Sequence, residues 1–145
     1  MHNNLEIRFV VCHIHKTSAR LRFLGFHNES LSSGAKGHVC MPKPLPALVT
    51  ILQPPQTTLT IHPSAELRKL QQQIQLQDRN LTVVPGFRVW VEAPRRTIVL
   101  YLAADDSPEP FDPPANGYWL ELPESWHLSP LERDLLRAAY EALLH

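Results

Sequence analysis

Residues 81–103, LTVVPGFRVWVEAPRRTIVLYLA, predict a β-hairpin whose strand register follows from the sequence itself. Residues 93–96 (APRR) are expected to form its loop, because proline presets one backbone angle of a tight turn. The resulting pairing collects six apolar side chains on one face: Phe87, Val89, Val91, Ile98, Leu100 and Leu102. The other face is mixed polar and aromatic, with Arg88 opposite Tyr101 and Trp90 opposite Val99. A slip by one residue would exchange the two faces, so the pattern specifies this register.

The composition is that of a folded protein with a core. The chain has 145 residues, 43% of them hydrophobic, with 14 basic and 14 acidic side chains, which argues against wholesale disorder. Fourteen prolines and five glycines favour short elements joined by stiff loops. No apolar run is long enough to cross a membrane, and two cysteines are too few for a disulfide scaffold. A soluble, cytoplasmic protein without a membrane partner is therefore expected.

The first 40 residues differ in charge from the rest of the chain. They hold five basic and two acidic side chains. Residues 5–15 and 19–26 predict a hairpin, and residues 28–37, NESLSSGAKG, predict a flexible joint. We therefore divide the chain into a basic N-terminal extension or extra hairpin, residues 1–40, and a compact α+β domain, residues 41–145.

The remaining segments predict a two-layer α+β fold. Residues 47–52, 57–61 and 118–122 are strand candidates, and Leu67, Leu70 and Ile74 have helical spacing within residues 65–77. The final helix, 130–144, begins with a Ser129–Glu132 capping box and a proline at its first position. The predicted order after the N-terminal hairpin is β-β-α-β-β-β-α, with both helices packed on one face of a mostly antiparallel sheet.

One cluster of side chains has the ligand types of a metal site. Cys12, His13 and His15 lie in a predicted strand, and His38 and Cys40 follow the flexible joint. Thiolate and imidazole are zinc ligands, but four of them must converge in a tetrahedron. A small metal-dependent protein or enzyme using this cluster is the alternative to the main functional prediction.

A second alternative is nucleic-acid binding through the basic N-terminal segment. Its candidates are Arg8, Lys16, Arg20 and Arg22, interleaved with phenylalanines. Arg20 and Arg22 point the same way from a strand, as a surface that follows a phosphate backbone requires. The competing interpretation is that these are solvated strand charges.

The main functional prediction rests on the mixed face of the 81–103 hairpin. If the helices cover the apolar face, Arg88, Trp90 and Tyr101 are exposed together, and such residues dominate the binding energy of interfaces. The alternative is that residues 1–40 cover this face. The sequence has no phosphate-binding glycine loop or nucleophile elbow, so no catalytic residue and no cofactor are predicted. We expect an adaptor or regulatory domain that binds a protein partner or a second copy of itself, without catalytic activity.

Overall fold

The computed structural model of this chain describes residues 4–28, 35–46, 48–52 and 62–144, so the predicted strand 57–61 and most of the predicted joint lie outside the described residues. The described elements run in this order: β1 Asn4–Ile14, β2 Leu21–His27, β3 Gly37–His38, β4 Cys40–Met41, β5 Thr50–Leu52, α1 Pro63–Gln73, β6 Thr82–Ala93, β7 Arg96–Asp105, β8 Gly117–Leu120, a 3-10 helix Leu122–His127 and α2 Pro130–Leu144. None of the described helices is long and apolar enough to span a membrane.

The eight described strands form one sheet in the order β3-β2-β1-β7-β6-β5, with β4 also paired to β1 and β8 to β2. Every pairing is antiparallel except that of β1 with β7, which runs in parallel from Asn4↔Arg96 to His13↔Asp105. The predicted class, α+β with a mostly antiparallel sheet and two helices, is confirmed.

The β6–β7 hairpin has the register that the sequence predicts. Val89 lies opposite Leu100 and Val91 opposite Ile98. The loop itself is shorter than expected, since Ala93 and Arg96 already pair and the two residues between them make the turn. Arg95 has a φ of 69°, as the third residue of a type II turn after Pro94 requires. Towards the start of β6 the register shifts between Val83 and Arg88, so the predicted pairing of Phe87 with Leu102 is not formed.

The two helices lie on opposite faces of the sheet, which corrects the expectation that they share one. Leu67 and Leu70 of α1 pack with Phe9, Trp90, Val99 and Tyr101. Leu135, Leu136 and Ala139 of α2 pack with Val10, Val91, Ile98 and Leu100. The physical reason is that β1 and β7 carry buried apolar side chains on both faces, and strands of that kind need a covering layer on each side.

Helix α2 docks through an apolar stripe and one buried carboxylate. Ser129 Oγ accepts the Glu132 backbone N–H at 3.3 Å, so half of the predicted capping box forms. The Glu132 carboxylate instead accepts the backbone N–H groups of Val39 at 2.7 Å and Cys40 at 3.2 Å. Burial raises its pKa, and the hydrogen bonds from these amides oppose that rise. Glu132 thus joins α2 to the segment that links β3 and β4.

Strand β1 lies inside the sheet, between β2 and β7. We therefore expect residues 1–40 to belong to the folding unit. A truncated chain beginning at Met41 would lose β1, β2 and β3 and expose the apolar faces of β7, so it should unfold without a cooperative transition in urea. A sigmoidal transition with a slope near that of the full chain would show that residues 1–40 are an appendage.

The docking of α2 predicts the effect of shortening its leucines. Leu135 is 1% exposed, so Leu135→Ala should lower the free energy of unfolding by about 2–5 kcal/mol by leaving a cavity. Leu144, on the same helix, is 53% exposed, and Leu144→Ala should change it by less than about 0.5 kcal/mol. Urea denaturation of both variants checks this, and equal effects would mean that α2 does not dock as described.

Candidate functional site

Helix α1 positions the side chains of the candidate site. Pro63 occupies an N-terminal position that suits proline, and the following residues are mostly good helix formers. The helix ends at Gln73, four residues before the predicted end, because Gln75 takes a left-handed conformation with a φ of 59°. Gln71 then donates to the carbonyls of Leu76 at 2.9 Å and Arg79 at 2.8 Å. These bonds fix the connection to β6.

A groove lies where α1 meets the central strand β1 and the short strand β4. Its volume is about 490 Å³, which falls in the range of small-molecule sites. We call it the α1 groove, and its lining consists of Ile7, Phe9, Met41, Pro42, Glu66, Lys69, Leu70, Gln72 and Gln73. The strands and the loop after β4 supply an apolar floor, and α1 supplies a polar rim. An apolar cavity with a few convergent polar groups is the usual form of a ligand site.

The rim combines a carboxylate, an ammonium group and two amides. Lys69 Nζ lies 3.2 Å from Glu66 Oε1, and both side chains reach solvent. Glu66 is the sole carboxylate among the described residues that line the α1 groove. Gln72 and Gln73 are exposed, and each side-chain amide both donates and accepts hydrogen bonds. The groove therefore offers a proton acceptor, a positive charge and hydrogen-bond donors within one helix face.

A second cavity lies on the other side of α1, towards the start of β6. Its volume is about 650 Å³, and it is lined by polar side chains that include Arg68 and Arg79. Two guanidinium groups suit an anion. No carboxylate or imidazole is found in the described lining, so this cavity lacks a group that takes up a proton near neutral pH.

The predicted partner-binding face is covered. Trp90 is 4% and Tyr101 6% exposed, because both pack in the cluster beneath α1. Arg88 is exposed, with its guanidinium carbon 5.7 Å from the centre of the Trp90 ring. The face is thus core, and the covering element is α1 together with neighbouring loop residues.

The predicted metal-binding thiols are held apart from the histidines. Cys12 lies on the α2 side of the sheet and is fully buried, as is Cys40. Burial raises the pKa of Cys12 to about 12, and nearby Asp105 adds to the rise. Burial also raises the pKa of Cys40 well above its usual range, with a further contribution from Glu132. Because the thiolate is the metal-binding form, these environments disfavour coordination.

The histidines of that cluster have other partners. His13 donates from Nε2 to the Ser107 carbonyl at 2.8 Å, and His15 accepts the Ser18 N–H at 3.2 Å. His38 donates to Asn28 Oδ1 at 2.5 Å, and burial lowers its pKa to about 4. No three His, Cys, Asp or Glu side chains among the described residues converge on a common point. The predicted Cys/His metal site is therefore not assembled in the described part of the chain.

The four cations predicted for nucleic acid do not form one open surface. Arg8 is fully buried and donates to the carbonyls of Lys43 and Pro44. Lys16 and Arg20 are exposed, each beside a carboxylate, and Arg22 is half-buried. Arg8 cannot reach a phosphate backbone from this position.

Comparison with known proteins finds similarity at the level of fold. No family model matches the sequence, and no curated protein is significantly similar to it. Among solved structures, C. elegans Ap4A hydrolase shares the fold with a TM-score of 0.60 and 16% identity, over 99% of this chain and 100% of the other. The prediction of an adaptor or regulatory domain without catalytic activity is contradicted by this likeness to a hydrolase.

The sequence pattern did not identify the α1 groove. The outer face of this helix, rich in glutamine and carrying Arg68 and Lys69, has the composition of a solvated surface, and no sequence pattern singles out Glu66. The importance of Glu66 and Lys69 depends on Phe9 and on the β4 segment, which lie far away in the sequence.

The burial of Trp90 gives a test of the corrected assignment. Trp90→Ala should lower the free energy of unfolding by about 3–5 kcal/mol, because it removes a large ring from the core. Trp126 is 69% exposed, so Trp126→Ala should cost less than about 1 kcal/mol. Chemical denaturation of the two variants measures the difference. A neutral Trp90→Ala would restore the exposed face predicted from the sequence.

Proposed function

We propose that this chain is a hydrolase that binds a phosphorylated small molecule in the α1 groove and breaks a phosphate linkage. The observation that carries the proposal is the Glu66–Lys69 pair on the rim of an apolar cavity. Support comes from the structural neighbour, which is named for hydrolysis of Ap4A, a compound in which four phosphates join two adenosines. The shared fold is compatible with this chemistry, and the groove supplies the groups for it.

The shape of the α1 groove suits a ligand with one apolar and one anionic part. Ile7, together with the edges of the buried Phe9 and Met41 side chains, forms an apolar floor against which the apolar part of a ligand would pack. Lys69 and the two glutamine amides on the rim then lie at the level of the phosphates. The proposed ligand class is a nucleotide or another small phosphate ester or anhydride.

The chemistry follows from the rim groups. The Glu66 carboxylate accepts a proton from water while the water oxygen forms a bond to phosphorus. The bond from phosphorus to the leaving oxygen breaks, and that oxygen ends with a proton from solvent. The Lys69 ammonium group stabilises the negative charge on the phosphate oxygens. The second cavity has the positive charge for binding but no proton acceptor, which is why we place the reaction in the α1 groove.

The cellular location and the protein partner that the sequence suggests stay predictions. A cytoplasmic location fits a protein whose two cysteines are buried thiols. A protein partner or a second copy of the chain remains a candidate for the exposed surface, and the covered Trp90 face is not where it would bind.

Substitutions on the rim test the proposal. Lys69→Ala should weaken binding of Ap4A or ATP about tenfold or more, because it removes a charged hydrogen-bond donor. Glu66→Gln should retain binding and lose most of the turnover. Lys16→Ala, an exposed lysine on the β1–β2 turn, is the matched control and should behave as wild type. Calorimetry measures the binding, and phosphorus NMR measures the products.

The same binding measurements also show which of the two cavities holds the ligand. If Arg68→Ala or Arg79→Ala abolishes binding and Lys69→Ala does not, the ligand occupies the second cavity and the assignment to the α1 groove is wrong. If no phosphorylated compound binds or is hydrolysed, the proposed function fails.

A further inference from the structure

We infer that the α1 groove binds phosphate groups directly through Lys69, Gln72 and Gln73, without a divalent cation. This inference rests on the proposed function and specifies how its site recognises the ligand. Enzymes that act on phosphate linkages commonly hold Mg²⁺ between protein carboxylates and phosphate oxygens, and the metal offsets the charge on the phosphates. The donor groups of the groove decide whether such an ion fits here.

The rim of the groove does not have the ligands of a magnesium site. Mg²⁺ is held by carboxylate oxygens and needs near-octahedral geometry. Glu66 is the one carboxylate in the described lining, and the Lys69 ammonium lies 3.2 Å from it. Gln72 and Gln73 occupy the neighbouring rim positions with neutral amides. A dication placed at this rim would meet a positive charge that already neutralises the only anion.

Among the described residues, carboxylates from elsewhere do not complete a site. Strand alternation places Ile7 and Phe9 in the groove and Glu6 on the opposite face of β1, where Glu6 contacts the guanidinium groups of Arg8 and Arg96. Residues 53–61, which precede α1, contain no aspartate or glutamate. Within the described ranges no three potential metal ligands cluster at all. The donor set therefore does not fit a divalent cation.

The same groups do fit a phosphate. The lysine ammonium is a compact cation with three donors and is a common phosphate ligand. Each glutamine adds two amide N–H donors and no charge to repel the anion. At 69, 72 and 73 the three residues share the groove side of α1, since residues three and four apart are neighbours on a helix. Lys69, the one cation in the described lining of the groove, here contacts the phosphate oxygens directly, in the place that a metal ion takes in other phosphate sites.

A metal titration tests the donor argument without any turnover. Wild-type protein should show no saturable Mn²⁺ binding up to about 1 mM, measured by the relaxation of water protons or by electron paramagnetic resonance. The triple variant Lys69→Glu, Gln72→Glu, Gln73→Glu should gain a saturable site, because it places four carboxylates around the groove. Saturable binding to wild type that Glu66→Gln removes would overturn the inference.

The control for the triple variant carries the same change in charge away from the groove. Lys36→Glu, Gln75→Glu and Gln77→Glu, all at exposed positions, should leave Mn²⁺ binding at the wild-type level. An equal gain of Mn²⁺ binding in this control would mean that the change in net charge alone causes the binding. The result for the triple variant would then contradict the assignment of the site to the groove.

A ligand titration tests the direct recognition of phosphate. Binding of Ap4A or ATP should agree within about twofold between buffers that contain EDTA and buffers that contain MgCl₂. Binding that requires Mg²⁺ would overturn this inference and leave the proposed function standing. Absence of binding in both buffers would overturn the two together.

Discussion

The rest of the fold depends on the parallel pairing between β1 and β7. These strands pair over ten residues in the middle of the sheet, and both carry buried apolar side chains on each face. Each face therefore needs a covering helix, and α1 and α2 each supply one. The α1 groove is a product of this arrangement, because α1 covers the described sheet incompletely beside β1 and β4. A single packing requirement thus sets the position of the core, the two helices and the candidate site.

The buried Arg8 guanidinium restrains the segment after β4 that forms one wall of the groove. Arg8 donates to the carbonyls of Lys43 and Pro44 at 3.3 and 2.8 Å and contacts Glu6 at 3.0 Å. These bonds hold the segment that follows Met41 and Pro42, which line the groove. A buried charge is costly unless it is paired and hydrogen-bonded, so the segment after β4 has little freedom to move while Arg8 stays in place. A rigid wall favours a preformed site.

Local sequence patterns predicted the elements whose structure is set by residues close together in the chain. The β6–β7 register follows from alternation around Pro94, and α2 follows from Ser129, Pro130 and its apolar stripe. The pairing of β1 with β7 joins segments about 90 residues apart, and no local pattern encodes it. Trp90 and Tyr101 appeared exposed because their face also carries Arg88 and Glu92, and the covering α1 was placed on the wrong side. The groove was missed for the same reason, since Lys69 becomes part of a site only when α1 lies over Phe9.

The reactivity of the two buried thiols reports how often the sheet opens locally. Cys12 and Cys40 lie in β1 and β4, fully buried, with raised pKa values. Alkylating reagents attack the thiolate, so neither sulfur reacts while the sheet is closed. Labelling therefore waits for a fluctuation that separates β1 or β4 from its neighbours, and its rate measures how often the centre of the fold opens under native conditions. Because β4 also lines the groove through Met41, ligand bound there should slow the labelling of Cys40.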